Sequence, residues 1–271
     1  MKKNKFNQLL LKKSVEIGKA LANLKGVKIV MLEGSIALGY GDKDSDIDLV
    51  VLSNRFPSLT EIKNKLHDFT QGIKVTQSNI AWLQIQFMYK NSEVNVGFGK
   101  YEDFRKDVKE INKNPKNPLF FIYKKHILNW ILNTKIIFDR DNILKIRGKV
   151  KLTEKGKGEN ISRFYMELKK YFLKENSSIQ IEIKRGNYLF INHLVYESLN
   201  KVLEILYTIN NKFYRYPKWV LKDINKFKKK PKNVGNVLQA ISKLGNSKSD
   251  LNKKIKLIKF LVKKLRPLMK K

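Results

Sequence analysis

Residues 33–53, EGSIALGYGDKDSDIDLVVLS, constrain the fold more than any other stretch of this sequence. An apolar, β-branched run at residues 27–32 ends at Gly34 and Ser35, which indicates a strand followed by a tight turn. Farther along, acidic and apolar residues alternate and then give way to a wholly apolar run, the pattern of a strand that enters a sheet. Two strands joined by a short, glycine-bearing connection are therefore predicted.

The second of these strands begins with two carboxylates. Asp46 and Asp48 stand two residues apart, so both side chains project from one face of the strand while Ile47 and Leu49 project from the other. Two carboxylates this close repel each other unless a cation lies between them. Oxygen ligands with open positions suit Mg²⁺, and a chain without cysteine has no thiolate site to offer a softer metal.

A phosphate site is predicted beside the carboxylate pair. Backbone N–H groups at a glycine turn can approach a phosphate closely, and the Ser35 hydroxyl after Gly34 adds a donor. We place Ser45 with these two residues in the nucleotide-binding group. Phosphates held beside metal-binding carboxylates are what phosphoryl or nucleotidyl transfer requires.

A third carboxylate is expected on a neighbouring strand. In the stretch NSEVNVGFG, Glu93 and Asn95 share one face, and only Glu93 can carry a charge. We assign Glu93 as a catalytic residue and metal ligand, with Asn95 as a neutral ligand or a substrate contact. Glu93 or Asp103 could also serve as a general base.

Hydrophobic periodicity divides the rest of the chain into a mixed first part and a helical second part. The first part continues with a helix that begins at Ser58, where Ser58 and Glu61 have the spacing of a capping box. A hairpin whose strands lie in 80–89 and 92–99, a helix within 118–133 and a last short strand follow it. The polar, glycine-bearing stretch 151–160 is a candidate hinge. Beyond it, helices are predicted at residues 161–176, 178–210, 217–228, 234–244 and 250–268.

The fold class that follows is α/β (α+β): a domain at residues 1–150 with a small mixed sheet, then a helical bundle domain at residues 151–271. No run of eighteen or more uncharged apolar residues occurs, and the N-terminus has the pattern of an amphipathic helix. We therefore expect a cytoplasmic protein that does not enter a membrane.

Positive charge favours polyanionic partners such as nucleic acid or nucleotides. The chain has 57 basic and 24 acidic residues, and residues 151–271 account for +21 of the net charge of +33. Most of the excess is lysine, so a general compositional bias explains it equally well. In the second half, cations and aromatic residues that could grip a triphosphate or an acceptor occur at Lys184, Arg185, Tyr216 and Lys218.

The Gly34-Ser35 pair, the Asp46-Ile47-Asp48 strand start and a later strand acid together resemble the nucleotidyltransferase superfamily with a DNA polymerase beta-like fold. The likeness covers residues 25–100 and is nearest to bacterial aminoglycoside- and lincosamide-type members with a helical C-terminal domain. The stretch EILYTINNKFYRYPKW is similar to that second domain. The resemblance implies two Mg²⁺ ions, a nucleoside triphosphate donor with ATP as the default, and release of pyrophosphate.

The resemblance implies transfer of a nucleoside monophosphate to an acceptor hydroxyl in a cleft between a catalytic domain and an acceptor-binding helical domain. A small aminoglycoside-like acceptor suits the compact size of the chain. Two alternatives stay open within enzyme function: an RNA 3′ end, particularly of tRNA, or a protein hydroxyl, as in a toxin. A third alternative is a non-catalytic relative that binds nucleic acid.

Overall fold

The computed structural model describes residues 5–113, 125–174, 177–214 and 217–269. Within these ranges, residues 5–113 and 125–150 form one compact unit, here called the sheet unit. The residues from 151 onward form a second, here called the helical unit. Each unit has its own buried apolar cluster.

Six strands of the described residues form one mixed sheet in the sheet unit. The strands are β1 (Val27–Leu32), β2 (Ile47–Ser53), β3 (Lys74–Ser78), β4 (Trp82–Tyr89), β5 (Ser92–Lys100) and β6 (Lys135–Asp139), in the order β3-β4-β5-β2-β1-β6. The β2 and β5 strands pair in parallel, and the other neighbouring strands pair antiparallel. The predicted α/β class is confirmed.

Helices flank this sheet. They are α1 (Lys5–Ala22), α2 (Gly34–Ala37), α3 (Leu59–Leu66), α4 (Tyr101–Lys113) and α5 (Lys125–Asn133), followed after β6 by a 3₁₀ helix (Ile143–Gly148). The capping box expected at the start of α3 is present, because Glu61 N donates to Ser58 Oγ (3.2 Å) and Ser58 N donates to Glu61 Oε2 (2.8 Å).

The two faces of the sheet have different surroundings. Buried residues of α1 and α3 pack in one cluster with Val94, Val96 and Phe98 of β5, so these helices cover the face that we call the core face. The opposite face carries Asp48 and Asn95, which are paired across β2 and β5. We call it the open face, and α5 reaches one end of it through the stacking of Trp130 on Trp82.

The helical unit is a bundle. Its helices are α6 (Glu154–Leu168), α7 (Ser178–Arg185), α8 (Tyr188–Ile209), α9 (Val220–Asn225), α10 (Val234–Lys243) and α11 (Lys248–Met269), with a π-helical turn (Lys169–Leu173) after α6 and a 3₁₀ turn (Pro217–Trp219) before α9. Among the described residues of both units, no helix is long and apolar enough to cross a membrane.

Several sequence-based boundaries were wrong. The helix predicted at 178–210 is two helices, because Gly186 adopts a left-handed conformation (φ +70°) and caps α7. The candidate hinge at 151–160 is largely helical, since the Thr153 hydroxyl caps α6 and accepts from Gly156 N (3.1 Å). The edge strand β3 was not predicted, and its uniformly exposed side chains give it no periodic apolar signal.

Candidate active site

The carboxylate pair stands at the start of β2. Asp46 immediately precedes the strand and Asp48 is its second residue, while the alternate residues Ile47 and Leu49 are buried in the core under α1. Alternation along the strand thus leaves both carboxylates half-buried on the open face.

The turn after β1 lies directly against Asp48. Gly34 has φ +70°, and a Cβ at this position would collide with the Asp48 carboxylate. The neighbouring backbone is fixed by Glu33 N, which donates to the Asp48 carbonyl oxygen (2.9 Å). Glycine is required here for two reasons, the left-handed backbone and the close approach to a carboxylate. Ser35 follows at the start of the four-residue helix α2 and is 6% exposed.

Strand register brings Asn95 and Glu93 to the same place. Asn95 pairs with Asp48 across the parallel β2–β5 ladder, and its Nδ2 lies 3.3 Å from Asp46 Oδ2. The same amide nitrogen lies 3.3 Å from Oε1 of Glu93, whose side chain is exposed. The residue of β5 that lies beside the two aspartates is therefore the amide Asn95. The carboxylate of Glu93 is two residues earlier on the same face of the strand.

The donors at this edge suit a hard divalent cation. Asp46 and Asp48 offer carboxylate oxygens on one face, the ligands that Mg²⁺ prefers. Over the described ranges, no group of three or more His, Asp or Glu side chains is placed to hold a metal ion. The oxygen donors of the Asp46–Asp48 pair are of the kind that Mg²⁺ takes, whereas the metal-binding role of Glu93 and the number of ions remain predictions.

A half-buried acid and two tryptophans form a wall of the site that sequence reasoning missed. Trp130 Nε1 donates to Glu33 Oε2 (2.8 Å), and the Trp130 ring stacks on Trp82 with centroids 6.1 Å apart. Trp82 lies over β5 where Gly97 and Gly99 leave room for its ring. Two glycines at alternate positions of a strand signal a close neighbour, and this pattern could have pointed to Trp82.

The environment of Glu33 raises its pKa. Burial is the main cause, the nearby charge of Asp48 adds to it, and the hydrogen bond from Trp130 opposes it. Glu33 stands at the N-cap of α2 without a side-chain cap hydrogen bond, because its carboxylate is directed to Trp130.

The loop before β2 is held by its own polar groups. Asp42 Oδ1 accepts from Ser45 Oγ (2.9 Å) and from Asp44 N (3.3 Å), so Asp42 stabilises a turn. The buried side chain of Asn7 accepts from Gly41 N (2.8 Å) and ties the loop to α1. Ser45, predicted to bind nucleotide, thus has a local partner in the turn.

The described candidates of the helical unit lie on two of its elements, the end of α7 and the 3₁₀ turn. Lys184 and Arg185 end α7, where Arg185 Nη1 pairs with Glu182 Oε1 (2.9 Å). Lys218 lies in the 3₁₀ turn with Nζ 5.2 Å from the Trp219 ring centroid. Tyr216 lies outside the described residues.

Other titratable candidates lie on exposed helix surfaces. Asp103, a possible base, is in the first turn of α4 and pairs with Lys106 Nζ (3.9 Å). His193 is exposed on α8 and stacks on Phe190 with centroids 5.8 Å apart. Stacking on a neighbour of the same helix gives His193 a partner without burial.

The family model described as a nucleotidyltransferase domain matches residues 14–128. This stretch of the chain is thus similar to a nucleotidyltransferase domain. The match includes both aspartates, the Gly34 turn and the β4–β5 hairpin, and it assigns the enzyme to nucleotidyl transfer as a class. No curated protein is similar enough to count as a match.

Solved structures give only distant likenesses. A nucleotidyltransferase-like protein from Exiguobacterium sibiricum is 10% identical, with a TM-score of 0.40 over 95% of this chain and 75% of that one. A STING-associated CdnE c-di-GMP synthase from Capnocytophaga granulosa is 16% identical, with a TM-score of 0.31 over 97% and 82%. A CCA-adding enzyme in complex with ATP is 12% identical, with a TM-score of 0.32 over 96% and 83%. TM-scores this low support no conclusion about this enzyme.

Proposed function

We propose that this enzyme transfers a nucleoside monophosphate, AMP from ATP, to a hydroxyl of a small aminoglycoside-like acceptor and releases pyrophosphate. The proposal rests on one observation: the Gly34 turn lies against the carboxylate of Asp48, which shares a strand face with Asp46. A phosphate held at that turn would be adjacent to a cation held by both aspartates.

The residues present fit Mg²⁺ at the Asp46–Asp48 pair, as their oxygen donors and the shared face indicate. A bound Mg²⁺ would neutralise charge on the triphosphate and help to orient it for displacement. The protein supplies the rest by position: backbone N–H groups near Gly34 for the phosphates, and Asn95 beside the reacting centre.

The proposed reaction is a single in-line displacement. The acceptor oxygen forms a bond to the α-phosphorus while the bond from that phosphorus to the oxygen bridging to the β-phosphorus breaks. The pyrophosphate leaves with the electron pair of the broken bond. The proton of the acceptor hydroxyl passes to a base, and Glu93 is the exposed carboxylate next to Asn95 that we propose for this role.

A labelling experiment tests this function. The protein is incubated with Mg²⁺ and each of four NTPs labelled at the α-phosphate, together with kanamycin, lincomycin or total RNA. We expect label from ATP on a small acceptor and one pyrophosphate per labelled product, and no label with Asp48→Asn. Pyrophosphate release that persists in that variant, or an absence of turnover with every donor and acceptor, would refute the proposal.

An RNA acceptor is the second candidate, and the charge of residues 151–271 favours it: 30 basic against 9 acidic side chains. Salt separates the two candidates. The affinity for an RNA acceptor should fall linearly with salt concentration on a log–log plot, with a slope set by the number of phosphates contacted. A small acceptor should give a much shallower slope.

A further inference from the structure

The open face of the sheet carries a row of polar side chains that begins at the carboxylate pair. Asp48 pairs with Asn95 on β5, Asn95 pairs with Gln86 on β4, and Gln86 pairs with Lys74 on the edge strand β3. Residues paired directly across strands project from the same face. Adjacent strands lie about 4.8 Å apart, so Gln86 is about 10 Å from Asp48 along the row.

A second amide stands beside this row. Gln84 is two residues before Gln86 on β4, on the same face, and pairs with Gly97. Both glutamine side chains are half-buried, and neither hydrogen-bonds to another side chain or backbone group of the described residues. An amide group has both donors and an acceptor to offer, so these two are available to a bound molecule.

The position of the phosphate turn indicates which of the two substrates, the nucleotide donor or the acceptor, would lie over this row. Gly34 follows β1, which lies on the other side of β2 from β5. In a displacement at phosphorus the attacking and leaving oxygens lie roughly in line. With the leaving pyrophosphate on the β1 side of Asp48, the attacking hydroxyl comes from the opposite side, over β5 and β4.

We infer that the acceptor lies across β5 and β4, with Asn95, Gln86 and Gln84 hydrogen-bonding its polar groups, and that it is a small, hydroxyl-rich ring compound. The inference rests on the proposed function, since it takes the phosphate turn as the donor site. Trp82, the first residue of β4, lies over β5 and adds an aromatic surface beside these amides. Small-molecule sites commonly combine aromatic surface with a few polar groups.

Charge argues against a polynucleotide in this position. A nucleic-acid 3′ end places phosphates near its terminal hydroxyl, and proteins hold such phosphates chiefly with Lys and Arg. The side chains next to Asp48 along the row are the neutral Asn95 and Gln86, and Glu93 adds a negative charge beside them. The row reaches a cation only at Lys74, on the edge strand. Hydroxyl groups, and an ammonium group near Glu93, suit these surroundings better than phosphates.

Binding and turnover test the inference separately. Calorimetry with kanamycin, spectinomycin, lincomycin and glucosamine, in the presence of Mg²⁺ and a non-hydrolysable ATP analogue, compares wild type with Gln86→Ala and Gln84→Ala. We expect at least one probe to bind, each variant to weaken it about tenfold, and the affinity for the ATP analogue to stay unchanged. The matched control is Gln8→Ala, an exposed glutamine on α1, which covers the core face.

Turnover adds a readout that a purely structural role would not change. In Gln86→Ala the KM for the acceptor should rise about tenfold while the KM for ATP holds, and Gln86→Glu should lower the KM for amine-bearing probes. If wild type transfers nothing but binds the probes, and the glutamine variants weaken that binding, the proposed function fails while a binding site for these compounds on β4 and β5 stands. If no probe binds, or if the glutamine variants bind the probes as tightly as Gln8→Ala does, the inference is overturned.

Discussion

The two faces of the central sheet are built from alternate residues of the same strands, but one face packs against helices and the other carries the candidate site. On the core face, Val94, Val96 and Phe98 are fully buried beneath α1 and α3. On the open face of β5, the intervening positions hold Glu93, Asn95 and two glycines, and the side chains at the start of the row are polar. Because side chains alternate along a strand, one segment can supply a packed core and a chemical site.

The comparison shows where substitutions should affect stability and where they should affect chemistry. Core-face residues stabilise the sheet by burying apolar surface, so their truncation should cost free energy of unfolding. Open-face polar residues near Asp48 are held together at some electrostatic cost, so their neutralisation should cost activity and spare stability. The expected outcomes below follow from this division.

The largest effect is expected at Asp48 on the open face. Asp48→Asn should reduce Mg²⁺-dependent pyrophosphate release by about 10⁴-fold, or about 5 kcal/mol of transition-state stabilisation, because one metal-binding carboxylate is lost. Thermal unfolding should occur at the same or a higher temperature, since a like charge beside Asp46 on the same strand face is removed. If the variant folds and keeps wild-type turnover, the assignment of Asp48 to the active site is wrong.

The next effect is expected on the core face. Phe98→Ala should lower the free energy of unfolding by about 3–5 kcal/mol, because a fully buried ring is replaced by a cavity. Urea denaturation measures the change. The control is Met88→Ala on the open face of β4, where the side chain is 57% exposed and a change within about 0.5 kcal/mol is expected. Equal losses in both variants would contradict the division between the faces.

A smaller effect is expected where Trp82 covers the open face. Gly97→Ala should destabilise by about 1–3 kcal/mol, because the new methyl group collides with the Trp82 indole. The tryptophan emission spectrum should change as the ring moves away from Trp130. Gly158→Ala serves as the control, because its helical position in α6 has open space and alanine should stabilise it by about 1 kcal/mol.

The smallest effect is expected at Glu33, and it depends on pH. Because burial raises the pKa of Glu33, the folded state binds the carboxyl proton more tightly than the unfolded chain, where the pKa has its ordinary value of 4.5. The Glu33 contribution to stability is therefore present below pH 4.5 and is lost as pH rises through the raised value. Glu33→Gln should remove this loss, so its unfolding temperature should exceed that of wild type more at pH 7 than at pH 4. The same increment at both pH values would show that the pKa of Glu33 is not raised in the folded state.

The sequence was informative where a local pattern has one structural meaning. The first two strands were predicted from the apolar run 27–32, the turn at Gly34 and the alternation from Asp46. Helix α3 was predicted from the capping box at Ser58. All three elements are present in the structure. Gly186 was overlooked as a helix end, because the apolar pattern on its two sides reads as one continuous helix. The edge strand β3 has no apolar face to detect, since none of its side chains is buried.

For the candidate site, the sequence alone determined which side chains share a strand face, because alternation at period two is a local property of the chain. The sequence therefore predicted that Asp46 shares a face with Asp48, and that Glu93 shares a face with Asn95. Only the tertiary structure decided that Asn95 faces Asp48, that Gln86 continues the row, and that Trp130 reaches Glu33 from 97 residues away. Strand register and helix packing are long-range choices, set by which buried surfaces fit together, and no short stretch of sequence records them.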